Sequence, residues 1–219
     1  MNDLREDIHC RLIAFVDEVD GRILSTSPVS VTIATMPMGR YFNRTMTGLN
    51  CSVSSWRRIS DNTLPPRLKC PANYNNSRLA GIQAKIDGYD AVVLLDEDGK
   101  VTEGEGYNLF MIRNGVIVTP PVTYSILEGV TRSTLLRLFE DHLKVRVVER
   151  AIDRTELYIA EEIFVCGSGA EVVPIISVDR HSIGNGVIGA ITRKIQESYF
   201  ELVRGRLSGY EEWLLPIYK

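Results

Sequence analysis

Two turn dipeptides divide the middle of the chain into short apolar runs, and they constrain the fold more than any other feature. Asp98-Gly99 lies within YDAVVLLDEDGKVTEG, and Asn114-Gly115 lies within NLFMIRNGVIVTPP. Both dipeptides accept the positive φ angles that tight hairpin turns require. The sequence therefore predicts two β-hairpins in the middle of the chain.

The segments on either side of these hairpins predict both strands and helices. Six segments have the composition of strands: RLIAFVD, VSVTIAT, CSVSSW, VRVVERAI, EEIFVCG and VVPIISV. NNSRLAGIQAKIDG predicts an amphipathic helix with Leu79, Ile82 and Ile86 on its apolar face, and Gly88 is placed to stop it. EGVTRSTLLRLFEDHL and residues 190–203 predict two further helices, and a short one is expected near residues 155–160. The fold class is therefore predicted to be mixed α and β.

Composition and charge exclude several classes of partner. The 219 residues carry a net charge of −3 with no basic stripe, which argues against nucleic acid. No apolar run approaches the length of a membrane span. With only three histidines, no zinc or iron site is expected. Four widely separated cysteines suit reduced thiols in the cytoplasm better than a disulfide framework: Cys10, Cys51, Cys70 and Cys166.

Lys69 stands in the proline-braced stretch PPRLKCPANY, directly before a predicted helix. Most lysines are solvated surface groups, and that is one interpretation. The other is an amine held for attack on a carbonyl, which requires a sheltered and positioned side chain. On this second interpretation, the proline-restrained segment can place the Lys69 amine where burial and a nearby cation make it a competent nucleophile.

Three further features suit the second interpretation. Glu103 ends an apolar run and can point inward at a cation, or it can be an exposed glutamate at a strand end. EGVTR opens a helix, so the amides of Val130 and Thr131 can bind phosphate, although Thr131 can instead cap the helix. CGSGAE offers the Ser168 hydroxyl, or it is only a tight turn. A lysine, an acid and phosphate-binding amides are the groups that hold pyridoxal phosphate.

Several motifs together resemble the class IV aminotransferases, the group of branched-chain and D-amino-acid aminotransferases. They are KCPANY, GYDAVVLLDEDGKVTEGEGYNLF, TPP, ILEGVTR, VVERAI and IAEEIFVCGSGAEVVPI, in the order and spacing of that family. The resemblance implies a fold-type IV enzyme with a β-rich C-terminal domain. It also implies pyridoxal 5′-phosphate as the cofactor and an amino acid and a 2-oxo acid as substrates.

The resemblance assigns roles to individual residues around the cofactor. Lys69 corresponds to the Schiff-base lysine, which also carries the proton between the substrate's α-carbon and the cofactor. Tyr74 is expected near the phenolic oxygen, and Glu103 is expected to keep the pyridine nitrogen protonated. The phosphate contacts are assigned to Val130, Thr131 and Ser168.

Substrate-binding roles follow from the same resemblance. Gly167, Ser168 and Gly169 are expected to face the substrate carboxylate, and Arg11 matches an arginine on the substrate side. Met38 stands where branched-chain enzymes often have a tryptophan that shapes the pocket.

The resemblance starts part-way through the family's small domain, so we expect a truncated N-terminal α/β small domain. Residues 1–62 are assigned to that remnant, 63–74 to an interdomain linker, and 75–219 to the cofactor-binding domain. The expected activity is amino-group transfer on branched-chain-like or related substrates by a cytoplasmic homodimer. A lyase of the same fold, acting on a compound like aminodeoxychorismate, is the enzymatic alternative. A catalytically impaired cofactor-binding protein is the non-enzymatic one.

Overall fold

The chain forms two compact units in the computed structural model, Met1–Tyr41 and Phe42–Lys219. The structure describes residue 4, residues 6–17, residue 22, residues 24–26 and residues 28–216. Each unit is described separately below.

The first unit contains an antiparallel pair of strands, β1 (Ile8–Val16) and β2 (Val29–Pro37). Their register runs from Ile8 opposite Pro37 to Val16 opposite Val29. Both strands were predicted from RLIAFVD and VSVTIAT. Because side chains alternate between the two faces of a strand, one face of the pair is aliphatic and exposed. It carries Leu12, Ala14, Val16, Val29, Val31 and Ile33.

The second unit is built on a nine-stranded sheet. Its strands are β3 (Leu49–Arg57), β4 (Ala91–Leu95), β5 (Val101–Gly104), β6 (Asn108–Arg113), β7 (Val116–Thr119), β8 (Val147–Glu149), β9 (Glu162–Gly167), β10 (Glu171–Val178) and β11 (His181–Ser182). The order is β5-β4-β3-β10-β9-β6-β7-β8, and β11 pairs with β10. β3 runs parallel to both of its neighbours, whereas β10 and β9, β9 and β6, and β6 and β7 are antiparallel.

Both predicted hairpins are confirmed. β4 and β5 pair antiparallel around the Asp98-Gly99 turn, and β6 and β7 pair around Asn114-Gly115. Asn114 and Gly115 have φ angles of 51° and 70°, and Gly99 has 77°. These positive angles are the reason that asparagine and glycine stand at these positions.

The described residues form three α-helices beside the sheet: α1 (Tyr74–Ile86), α2 (Val130–Arg137) and α3 (Ala190–Val203). A π-helical turn, Leu138–His142, continues α2. Short 3₁₀ helices span Pro71–Asn73, Arg154–Ile159 and Glu211–Trp213. The predicted helices all form, and α3 has the predicted bounds.

The predicted buried face of α1 is wrong. Leu79, Ile82 and Ile86 are exposed, and α1 instead buries Ser77, Ala80, Gly81 and Ala84. Ala80 and Ala84 pack against the side chains of Val92 and Leu94 on β4. Small side chains let the helix backbone approach the sheet closely, so packing distance decided which face is buried.

Apolar side chains cover both faces of the sheet. In β6, Leu109 and Met111 belong to one buried cluster, whereas Phe110 and Ile112 belong to another that includes residues of α2 and α3. The ring of Phe110 stacks on Phe164 of β9, with centroids 5.0 Å apart. Burial on both faces explains why these strands are continuous apolar runs rather than alternating ones.

The boundary between the two compact units lies after Tyr41. The sequence predicts a later boundary, after residue 62, which places CSVSSW in the small domain. In the structure this segment is β3, which lies inside the main sheet between β4 and β10. Its side chains Leu49, Cys51 and Val53 are buried there. The assignment of residues 63–74 to a linker stays a prediction.

Candidate active site

Glu103, on β5, is a buried carboxylate surrounded by donors. Arg58 contacts its Oε1 through Nη2 at 2.9 Å. Its Oε2 accepts from Asn108 Nδ2 at 2.8 Å and from the Leu127 amide at 3.0 Å. A carboxylate has about four acceptor positions, so Oε1 retains capacity for one further donor. Glu103 is therefore the inward-pointing glutamate of the two alternatives.

Burial is the largest influence on Glu103 and raises the pKa of its carboxyl from 4.5 to about 7. Arg58, the Leu127 amide and the charge of Lys69 act in the opposite direction but do not offset it. A carboxyl with a pKa near neutrality can hold or share a proton with a basic ring nitrogen. Strongly shifted acids of this kind are common in functional sites.

Lys69 lies in the loop before α1 and contacts the first residue of that helix. Its Nζ is 3.2 Å from the Tyr74 hydroxyl and 5.4 Å from the centre of that ring. Lys69 is also close enough to Glu103 for its charge to lower the pKa of that carboxyl. The structure thus brings three predicted residues into one neighbourhood: Lys69, Tyr74 and Glu103.

The side chain of Lys69 is exposed, so burial does not shelter its amine. The neighbouring loop residues Leu68 and Cys70 are also exposed. The backbone of the loop is held by Asn73, whose side-chain Nδ2 donates hydrogen bonds to two of its carbonyl oxygens. The amine is therefore positioned by its backbone rather than sheltered by side chains.

The predicted phosphate contacts line a single cavity of about 850 Å³ at the start of α2. Val130, Thr131 and Ser168 are all in its wall, together with Tyr199 and Trp213. Gly129 is the N-cap residue of α2 and offers no side chain to cap it. Among the described residues, no side-chain hydrogen bond caps the start of this helix. The alternative in which Thr131 caps the helix is therefore not what the structure shows.

The start of α2 has the properties of an anion site. The first amides of a helix lack partners within the helix, and the helix dipole places partial positive charge there. Ser168, on the turn between β9 and β10, adds a hydroxyl to the same cavity. Amides and hydroxyls in this arrangement are suited to a phosphate group.

A short loop connects the Glu103 neighbourhood with this cavity. Leu127 donates to Glu103 through its amide and accepts from Asn108 Nδ2 through its carbonyl, at 2.9 Å. Two residues later, Gly129 packs so closely on Asn108 Oδ1 that a Cβ would collide with it. The loop therefore fixes the start of α2 relative to the buried carboxylate.

The predicted substrate-facing residues lie in two places. Gly167 and Gly169 flank Ser168 beside the cavity, and a Cβ on Gly167 would come within 3.2 Å of the Gly106 carbonyl oxygen. Arg11 and Met38 lie in the first compact unit, where both side chains are exposed. Their contacts with a substrate stay predictions.

Sequence reasoning missed the residues that hold Glu103. Arg58 follows β3 directly and is only 6% exposed. An arginine is rarely buried to this extent unless it is paired. The signal available was the basic pair in SSWRRIS, placed between an apolar strand and the proline-rich stretch. Asn108, five residues from Glu103, and the Leu127 amide, 24 residues away, carried no comparable signal.

The described part of the chain also bears on two other kinds of site. None of their helices combines the length and hydrophobicity that a membrane crossing requires. They also contain no group of three or more His, Cys, Asp or Glu side chains that could hold a metal ion.

The chain is similar to known proteins in both sequence and fold. A family model described as amino-transferase class IV matches residues 4–178. A protein of Aquifex aeolicus named "Probable branched-chain-amino-acid aminotransferase" is 42% identical over 219 residues, which are 99% of this chain and 70% of that protein.

Two crystal structures of branched-chain aminotransferases are also similar. The holo-form from Thermobaculum terrenum, which contains PLP, has a TM-score of 0.92 and 39% identity, covering 100% of this chain and 71% of its own. The enzyme from Thermoproteus uzoniensis with norvaline has a TM-score of 0.93 and 38% identity, covering 99% and 71%.

Proposed function

The chain belongs to the class IV aminotransferase family, and we propose on that basis that it exchanges amino groups between aliphatic, branched-chain-like amino acids and 2-oxo acids. Its membership makes it a pyridoxal-phosphate-dependent aminotransferase of fold type IV, as the sequence motifs predicted. The aliphatic substrate class is proposed from the relatives, because one is named for branched-chain amino acids and another was solved with norvaline. No feature of the described residues favours the lyase.

The residues present fit pyridoxal phosphate. Buried Glu103 retains acceptor capacity on Oε1 beside its three donors, which suits a protonated ring nitrogen. The amides of Val130 and Thr131 and the Ser168 hydroxyl suit the phosphate. Glu103 is the observation that carries the proposal, because a buried carboxylate held by three donors with one acceptor position left on Oε1 is suited to a protonated ring nitrogen.

When bound, pyridoxal phosphate supplies an electron sink for the electrons released as the substrate loses its α-proton. Lys69 is the proposed point of covalent attachment, and once the substrate's amine has displaced it, its free Nζ would take and return that proton. Tyr74, whose hydroxyl is 3.2 Å from Nζ, orients the amine. Glu103 holds a proton at the ring nitrogen, and the start of α2 holds the phosphate.

The remaining assignments are part of the same proposal. Gly167, Ser168 and Gly169 face the substrate carboxylate, and Arg11 and Met38 contribute to the substrate side. We also propose a homodimer that works in a reducing cytoplasm. The four cysteines, all free in the structure, support the reducing compartment. Sedimentation tests the assembly: twice 24.6 kDa supports it, and a monomer at working concentration overturns it.

Attachment to Lys69 is tested by adding pyridoxal phosphate to the purified protein, reducing with borohydride and mapping the modified peptide. The adduct is expected on Lys69 and is expected to be absent from Lys69→Ala. Lys85→Ala, at a lysine in the last turn of α1, serves as the matched control and is expected to be labelled fully. An adduct confined to other lysines, or none in the folded protein, would overturn the assignment.

The substrate class is tested separately with the loaded protein. Leucine, valine and norvaline are each mixed with it in a single turnover, and the 2-oxo acid product is measured. Aliphatic amino acids are expected to react at least tenfold faster than aspartate. A preference for aspartate would reject the aliphatic class while leaving attachment to Lys69 intact.

A further inference from the structure

Arg58 connects the neighbourhood of Glu103 with the segment that precedes α1. Its Nη2 reaches Glu103 at 2.9 Å, while its Nη1 donates to the Asn73 carbonyl at 3.2 Å and lies 3.4 Å from the Ser77 hydroxyl. Its Nε donates to the Ser125 carbonyl at 3.2 Å. The guanidinium is planar and rigid, so contacts on several sides fix the positions of its partners relative to one another.

Asn73 extends this connection to the loop that carries Lys69. Its side-chain Nδ2 donates to the carbonyls of Pro65 and Leu68, both at 2.9 Å. An amide has two N–H groups, and both are used on this loop. Leu68 is the residue immediately before Lys69, so the backbone at the amine is tied to a side chain that is only 2% exposed.

These contacts form one continuous path through the protein. It runs from Glu103 through Arg58 and Asn73 to the backbone at Lys69, and each step is a hydrogen bond or ion pair between buried or backbone atoms. Residues 67–70 of the loop are exposed. Without the path, an exposed loop would set the position of the amine.

We propose that Arg58 and Asn73 are positioning residues that hold Glu103 and the Lys69 loop at a fixed separation. This inference rests on the proposed function, in which the same cofactor meets Lys69 at its aldehyde and Glu103 at its ring nitrogen. Both contacts must be satisfied at once by a rigid ring, so a variable separation would weaken binding and slow the reaction. Misplacement by about 1 Å can cost on the order of a hundredfold in rate.

Asn73→Ala is the first test, and Asn75→Ala is its matched control. Asn75 lies on α1 with an exposed side chain, so the same Asn→Ala change can be made there as a control. Cofactor dissociation constant, the rate of attachment to Lys69 and steady-state kinetics are measured on the folded fraction of each. We expect Asn73→Ala to weaken cofactor binding and slow attachment at least tenfold, and to lower kcat more than it raises KM. Asn75→Ala is expected to match the wild type.

Arg58→Lys is the second test, and it separates charge from geometry. Lysine keeps the positive charge beside Glu103 but lacks the planar fork that also reaches the Asn73 carbonyl. We expect slower attachment to Lys69 in this variant, together with a pH dependence of the attached cofactor's absorption close to that of the wild type. If Asn73→Ala does not fold, Asn73→Ser is measured by the same criteria.

The outcomes distinguish this inference from the proposed function. If the wild type itself does not attach the cofactor to Lys69, the proposed function fails. If the wild type attaches it, and folded Asn73→Ala and Arg58→Lys attach it at the wild-type rate with unchanged affinity, only the positioning inference fails. A lowered unfolding midpoint with unchanged attachment would show a purely structural role and would overturn the inference in the same way.

Discussion

Arg58 and Glu103 form an ion pair with 2.9 Å between Nη2 and Oε1, and both side chains are more than nine-tenths buried. The pair does not keep the acid fully ionised at neutral pH, because burial raises the pKa of Glu103 to about 7 in spite of the nearby cation. Buried ion pairs commonly lose more in desolvation than they gain in attraction. The arginine therefore orients the carboxylate without removing its ability to bind a proton.

Stability of the cofactor-free protein is predicted to fall as the pH rises toward 7. The ordinary pKa of a glutamate carboxyl is 4.5, and the pKa of Glu103 in the folded protein is about 7, so the folded state binds the carboxyl proton more tightly. The resulting stabilisation is fully present below pH 4.5 and is lost as pH rises through 7, by roughly 3 kcal/mol. Urea unfolding between pH 5 and 8 should show this loss in the wild type relative to Glu103→Gln.

The control for this experiment is Glu201→Gln, which changes an exposed carboxylate on α3. Its pH dependence is expected to follow the wild type. Equal pH dependence in the wild type and Glu103→Gln would contradict the raised pKa.

Gly169→Ala is predicted to leave stability within about 0.5 kcal/mol of the wild type. A Cβ there would meet no described heavy atom within 4 Å, whereas on Gly167 it would approach the Gly106 carbonyl oxygen to 3.2 Å. Gly167→Ala is therefore expected to cost about 1–3 kcal/mol, the usual range for overpacking. Thermal and urea unfolding of the pair would refute the prediction if the two costs were equal.

The buried face of α1 makes a second comparison possible. Ala84 packs against β4 and is 3% exposed, so Ala84→Leu is expected to destabilise the protein by about 1–3 kcal/mol. Ile86→Ser, at a side chain that is 73% exposed, is expected to change stability by less than about 0.5 kcal/mol. A larger loss for Ile86→Ser would mean that its side chain is covered in solution, and unfolding at several protein concentrations would reveal such an association.

Two glycines with positive φ separate conformational cost from steric cost. Gly88 and Gly184 have φ angles of 80° and 54°, but only at Gly184 would a Cβ approach backbone, at 2.5 Å from the Glu161 carbonyl oxygen. Gly88→Ala is expected to cost about 1–2 kcal/mol from the left-handed conformation. Gly184→Ala carries the same cost plus the collision. The order of the two unfolding midpoints checks this, and the reverse order would contradict it.

Neighbouring residues were sufficient to predict where the helices and turns form, but not which faces of the helices are buried. α3 begins and ends at the predicted residues, and the Asn114-Gly115 turn has the predicted positive φ angles, because both depend on neighbouring residues. The buried face of α1 was mistaken because it depends on how closely β4 approaches. Helix periodicity records where apolar residues lie, and small residues that permit close packing leave no such record.

The candidate site divides in the same way. Motif spacing was enough to name Lys69, Glu103 and the start of α2, whose neighbourhoods the structure connects through the Leu127 loop. Arg58 was missed because its partner is distant in sequence, and a buried cation and a surface cation look alike in one chain. The exposure of Lys69 could not be predicted, because prolines indicate restraint of the backbone and not cover for a side chain.

The position of β3 determines when this protein can complete its fold during synthesis. β4 follows β3 after one helix, but the other neighbour, β10, pairs Leu49 with Ile175 and Cys51 with Val178. One edge of β3 therefore stays open until most of the chain has left the ribosome. Pairings between such distant segments carry a large loop-closure cost and slow folding. Interrupted translation would leave that edge available to other nascent chains, so aggregation during synthesis depends on the delay between these two strands.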